Sequence, residues 1–197
     1  DDCVAIKAGK RDPRGGPDRP TRNVEIRNCL MQRGHGAVVM GSEMSQGISD
    51  VTISRCHFIG TDRGLRIKTR RGRGGVVENI TVEDCVMDGV LTPLAINAFY
   101  FCDADGKSDA VQTRLPQPVT EATPRIAHIT IRNLVANNVA VAAGAFFGLP
   151  EAPIVGITLD NIRVTYNPAA KADVPVMACH VEPVRHGGII ADYAEFL

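Results

Sequence analysis

N-V-E-I-R-N-C at residues 23–29 returns as D-V-T-I-S-R-C at 50–56, N-I-T-V-E-D-C at 79–85, H-I-T-I-R-N-L at 128–134 and G-I-T-L-D-N-I at 156–162. Each copy alternates apolar and polar residues, then closes on a short polar pair and a Cys, Leu or Ile. Alternation is the period of a half-buried strand, and no 3.6-residue helical pattern runs between the copies. Successive copies lie 27, 29, 49 and 28 residues apart. Strands recurring at that interval fit a parallel β-helix, whose coils pair with the coils above and below at about 4.8 Å. The expected fold class is therefore all-β, a solenoid of about five or more coils. The 49-residue step reads as one coil plus a loop insertion at 103–125, a polar segment with three prolines and no sustained period.

Stacked coils turn the core into columns of like residues. Cys29, Cys56 and Cys85 fall at one point of three successive coils and are expected to form an internal thiol ladder. Pairing cannot be read from spacing, so a disulfide between neighbouring rungs stays open, with free buried thiols the expected state. The six cysteines show no C-x-x-C spacing and hence no zinc signature. The leucine-rich-repeat signature is absent, as are the hairpin turns every 8–12 residues that a barrel or sandwich needs.

The 197 residues are enough for one domain with a sizeable core. Basic and acidic residues balance at 22 each, so no global field steers the chain toward nucleic acid or a membrane. Nineteen Gly, twelve Pro and 5% aromatic residues without Trp imply many turns around an aliphatic core. No apolar run reaches the eighteen residues of a membrane span. The chain opens on Asp1-Asp2-Cys3 without an initiator Met, and is expected to begin partway through a longer protein, whose compartment is left open.

Against that balanced background, D-R-G-L-R-I-K-T-R-R-G-R at 62–73 packs six cations: Arg63, Arg66, Lys68, Arg70, Arg71 and Arg73. In a strand, Leu65 and Ile67 fill the core while Arg66 and Lys68 project outward together. A planar fork beside an ammonium suits a carboxylate-bearing ligand. A solvated basic edge or a nucleic-acid patch would share the same composition.

D-D-C-V-A-I-K at 1–7, G-H-G-A-V-V-M at 34–40 and D-R-G-L-R-I-K at 62–68 superpose without gaps, one coil apart. This alignment places Val4 and Ile6, Ala37 and Val39, and Leu65 and Ile67 inward. It stacks Asp2, His35 and Arg63 in one column, and Lys7, Met40 and Lys68 in another. Alone, an Asp pair is commonly a turn or cap, and a histidine between glycines a surface residue. In this setting Gly34 and Gly36 are expected to let the backbone approach a ligand. Core packing does not explain polar residues of three rungs meeting on one outer patch.

D-D-C-V-A-I-K, G-H-G and R-I-K, in this order and spacing, resemble the polygalacturonases, the pectin-cleaving glycoside hydrolases of family 28. The likeness runs along the whole chain, and G-S-E-M-S with T-D-R-G-L-R-I-K-T-R-R-G-R-G-G is similar to the bacterial branch. The resemblance implies a right-handed parallel β-helix and inverting hydrolysis of α-1,4-galacturonosidic bonds in polygalacturonate or pectin. It implies that Asp1 is the general acid, that Asp2 is one of the carboxylates activating water, and that His35 supports the acid. It implies that Arg66 and Lys68 grip the galacturonate carboxylate beside the cleaved bond, and that Tyr100, in I-N-A-F-Y, contacts the sugar. The family's N-T-D motif would lie about one coil before Asp1, so these residues alone are expected to be inactive. A rhamnogalacturonan-type hydrolase, or a non-catalytic β-helix holding acidic polysaccharide, remain alternatives. No cofactor is implied; calcium-dependent lyase chemistry lacks a clustered acidic ligand set. The expected partners are pectin oligosaccharides, bound by a monomer, with exo-action favoured.

Overall fold

The computed structural model describes residues 1–12 and 19–197. The chain begins with β1 (Val4–Ile6), β2 (Thr21–Arg27), β3 (Leu30–Gln32), β4 (Val38–Gly41) and β5 (Ile48–Ser54). It continues through β6 (His57–Ile59), β7 (Arg63–Lys68), β8 (Val76–Asp88), β9 (Thr92–Asn97) and a single helical turn, α1 (Asp109–Gln112). The last part comprises β10 (Arg125–Val139), β11 (Gly144–Phe147), β12 (Ile154–Tyr166), β13 (Ile189–Asp192) and β14 (Ala194–Phe196).

Each coil lays one strand in each of two sheets. One sheet stacks β1, β4, β7, β9, β11 and β13; the other stacks β2, β5, β8, β10, β12 and β14, with β3 and β6 beside the second half of β8. Every pairing between these strands is parallel, as a β-helix requires. The repeated motif sets the register of the second sheet. Val24, Val51, Ile80, Ile129 and Ile157 stack as one column, and Ile26, Ile53, Val82, Ile131 and Leu159 as the next. The middle members of both columns are fully buried. Burying a Val or Ile side chain is worth about 1.5–3 kcal/mol, so these aliphatic columns hold the coil together.

The motif's first and sixth residues set its bends. Asn23, Asp50, Asn79, His128 and Gly156 share a left-handed backbone conformation, and so do Asn28, Arg55, Asp84, Asn133 and Asn161 (φ 51–71°). Asn and Asp tolerate that conformation better than other side-chain-bearing residues. Their amides also link rungs: Asn79 donates to Asp50 at 3.1 Å, Asn133 to Asp84 at 2.9 Å, and Asn161 to Asn133 at 2.9 Å.

The 49-residue step is closed by direct pairing of β8 with β10, Ile80 opposite Ile129. The extra chain leaves between β9 and β10 as an excursion over 98–124 that carries α1. Cys29, Cys56 and Cys85 continue into Leu134 and Ile162 as one column; the His57 N–H bonds to the Cys29 carbonyl and the Val86 N–H to that of Cys56. All six cysteines are free thiols. The expectation that they are buried holds for Cys56 and Cys85. Cys29 is exposed because it follows β2, the outermost strand of its sheet, and Cys3 is exposed as well. Burial pushes the Cys56 thiol up and takes Cys85 to about 11. Both should resist thiol reagents in the native protein at neutral pH and react fully after denaturation. Fast native labelling of either would contradict the ladder.

The first sheet corrects the gapless alignment by one residue. Val4 pairs with Val38, Ala5 with Val39 and Ile6 with Met40; Val38 then pairs with Leu65 and Met40 with Ile67. The inward residues of β4 are therefore Val38 and Met40. His35 leaves the column of Asp2 and Arg63 and joins that of Asp1 and Asp62: the His35 N–H bonds to the Asp1 carbonyl (3.1 Å), and the Asp62 N–H to that of Gly34 (2.9 Å). The slip has a physical source. Residues 36–40 are apolar or glycine and buried throughout, so no alternation marks their phase, and a one-residue shift reverses every side chain. Among the described residues no helix is long and apolar enough to cross a membrane.

Candidate active site

The site is built on β7. Leu65 and Ile67 enter the core, fully buried, while Arg66 and Lys68 leave the opposite face. The basic run is no solvated edge: Arg63, Arg66, Lys68, Arg70, Arg71 and Arg73 each keep 9% or less of their surface exposed. Arg70, Arg71 and Arg73 are structural. Arg70 takes both oxygens of Asp105 (2.6 and 2.6 Å), Arg71 both oxygens of Glu151 (2.6 and 2.9 Å), and Arg73 reaches Asp103 at 2.7 Å. With the Arg71 bonds to the carbonyls of Val111 and Thr113, they fasten the 98–124 excursion to the helix wall.

The other three cations face a cleft of about 360 Å³, lined by Asp1, Asp2, His35, Asp62, Arg63, Arg66, Lys68, Tyr100 and Met177. Asp1, His35 and Asp62 reach it from three neighbouring rungs. Lys68 Nζ lies 2.9 Å from Asp2 Oδ2, and Arg66 Nη1 lies 3.7 Å from Asp2 Oδ1. The Arg66 guanidinium and the Lys68 ammonium each sit 5.5 Å from the centroid of the Tyr100 ring, a cation–π geometry that holds the aromatic beside them. Burial lowers the Lys68 pKa, opposed by its bond to Asp2. Burial, aided by the charge on Arg66, takes Arg63 down to about 10, and its guanidinium donates to the carbonyls of Asp62 and Val174 (2.9 and 2.8 Å). Burial also raises the Tyr100 hydroxyl.

The two acids occupy different environments. Asp1 is exposed, and its Oδ1 accepts the Asp2 N–H at 2.8 Å. The Asp2 side chain is 6% exposed; Lys68 holds one oxygen, while Oδ1 is buried with no hydrogen-bond partner among the described residues. His35 lies exposed beside them. Gly34 and Gly36 are required by packing. A Cβ on Gly34 would lie 2.7 Å from the Cys3 sulfur, and one on Gly36 would strike Val39.

Asp62 and Met177 also line the cleft and were not singled out from the sequence. Asp62 follows from the corrected register, which puts it beside His35. Met177 comes from 111 residues downstream of Arg66, in a segment with no repeat to place it, and its Sδ is 3.0 Å from Arg66 Nη2. Among the described residues no group of three His, Cys, Asp or Glu side chains is placed to hold a metal ion.

The model of glycosyl hydrolases family 28 matches residues 1–180. A probable polygalacturonase from Vitis vinifera is 36% identical over 189 residues, which cover 95% of this chain and 36% of that protein. An exopolygalacturonase from Arabidopsis thaliana is 28% identical over 96% of this chain and 39% of its own length. The crystal structure of a hyperthermoactive exopolygalacturonase from Thermotoga maritima superposes with a TM-score of 0.67 over 90% of this chain and 33% of that one, at 23% identity. The chain thus spans little more than a third of the length of the relatives it matches.

Proposed function

Because this chain belongs to glycosyl hydrolases family 28, we propose that the protein carrying it hydrolyses α-1,4-galacturonosidic bonds of polygalacturonate with inversion, and that the β7 cleft is where it does so. The observation that carries this reading is that Arg66 and Lys68, each 5.5 Å from the Tyr100 ring centroid, line one cleft with Asp1 and Asp2. A guanidinium and an ammonium converging on one face suit a sugar carboxylate, and an aromatic ring beside them suits the pyranose itself.

Asp1, exposed to the cleft, donates its proton to the glycosidic oxygen. Asp2, held in place by Lys68, takes the proton of the attacking water. Inversion requires an acid and a base about 6.5–9.5 Å apart, with the water between them and the sugar. His35, in the column of Asp1, supports the acid. Exo-action is favoured because Tyr100, from the 98–124 excursion, and Met177 both line the cleft, where such segments would limit how far a polymer runs on.

The test uses the full-length protein that carries this chain. Arg66→Ala and Lys68→Ala should each lower kcat/KM on polygalacturonate by about tenfold to more than a hundredfold, the loss of a charged hydrogen bond. Methyl esterification of the substrate should produce a comparable loss. Equal rates on free and esterified polymer would overturn the assignment. Early release of mixed long oligomers, in place of galacturonate units from a chain end, would remove the exo preference.

A further inference from the structure

We infer that Met177 determines substrate specificity: it is an uncharged cap that holds the Arg66 guanidinium in position, without neutralising it, until a uronate carboxylate takes the thioether's place. The inference rests on the proposal that the β7 cleft binds galacturonate.

The four arginines of the 66–73 run provide the contrast. Arg70, Arg71 and Arg73 each have a carboxylate oxygen within 2.6–2.7 Å. Arg66 has none so close among the described residues. Its Nη1 is 3.7 Å from Asp2 and 3.5 Å from the His35 carbonyl, and its Nη2 meets the Met177 sulfur at 3.0 Å. A thioether is a weak acceptor. It occupies the outer edge of the guanidinium and leaves the charge unspent, so an incoming carboxylate outcompetes it.

The cap is fixed where a chance contact would be loose. The Met177 carbonyl accepts the Asn97 side-chain amide at 3.0 Å and the Phe101 N–H at 3.4 Å. Two residues on, the Cys179 N–H bonds to Gln112 at 3.0 Å, and upstream the Val174 carbonyl takes Arg63. Asn97 lies directly opposite Lys68 on the next rung. The backbone of the cap is therefore tied to β9, the strand paired with β7, while Met177 itself lines the cleft and is partly exposed (38%). Methionine is unbranched and changes rotamer easily, so it can yield to a ligand without disturbing these ties.

The experiment compares Met177→Glu with Met177→Gln in the full-length protein on unesterified oligogalacturonate. The two side chains match in shape and differ in charge. Glutamate supplies Arg66 with an internal carboxylate, so KM for Met177→Glu should exceed that for Met177→Gln by about tenfold or more, the worth of one charged hydrogen bond. The change should fall on KM rather than kcat, because Met177 touches neither acid. Equal KM values for the two variants would overturn the inference, as would a loss confined to kcat. Arg66→Ala, measured alongside, separates the two levels. If it raises KM while the Glu and Gln variants agree, only the role of Met177 falls. If Arg66→Ala leaves KM unchanged, carboxylate recognition by the cleft falls with it.

Discussion

Asp1→Asn in the full-length protein should lower kcat by about 10²–10⁴-fold, the typical contribution of a general acid, with KM nearly unchanged. Asparagine keeps the shape of aspartate but has no acidic proton to give. The oxygen that accepts the Asp2 N–H at 2.8 Å is retained in the amide, so Asp2 stays where Lys68 holds it. A structural role for Asp1 would act through that contact and would disturb binding as much as turnover. Initial rates of reducing-end release decide between them. A loss under about fivefold in kcat would remove Asp1 from the chemistry.

The second large effect concerns stability. Glu151→Ala should destabilise the protein by about 3–5 kcal/mol, because it leaves a buried cation without its anion. The side chains of Arg71 and Glu151 are 10% and 4% exposed and meet through two hydrogen bonds. Burial alone would raise the Glu151 pKa, yet Arg71 holds it below its ordinary 4.5. A depressed carboxylate stabilises the fold above its unfolded-state value, and that contribution is lost as pH falls through the folded-state value. The wild type should therefore lose stability on acidification through that range, and Glu151→Ala should lose less. Denaturant melts at neutral and acidic pH measure both. Because Arg71 also ties the carbonyls of Val111 and Thr113, protease cleavage within 98–124 should be the first sign of release. A variant within about 1 kcal/mol of wild type would show that the carbonyls alone satisfy Arg71.

The second sheet was legible in the sequence because its five motif copies carry two signals at once. Alternating Val and Ile residues fix the phase, and the polar residues that close the motif mark the bend; the left-handed conformations of Asn28, Arg55, Asp84, Asn133 and Asn161 give that polar position its physical meaning. The first sheet was less legible. Around β4 the run from Gly36 to Met40 is buried on both faces, so its phase is set by pairing with β1 and β7, which no local pattern encodes.

The same distinction runs through the site. Arg66 and Lys68 could be read from alternation with Leu65 and Ile67 within a single short strand. Asp103, Asp105 and Glu151 could not be read as partners of Arg70, Arg71 and Arg73. They come from loops whose course depends on packing, so three structural arginines looked the same as ligand-binding ones. Met177 was hidden for the same reason.

In the proposed mechanism Asp1 and Asp2 act on one glycosidic bond, as acid and as base on water. The configuration of the first product tests it most directly. Proton NMR of unesterified oligogalacturonate, recorded within the first turnovers by the full-length protein, should show the newly formed reducing end as the β-anomer, with the α-anomer appearing only later by mutarotation. An α-anomer formed first would mean that a carboxylate attacks the sugar itself, and would contradict the roles of Asp1 as acid and Asp2 as base.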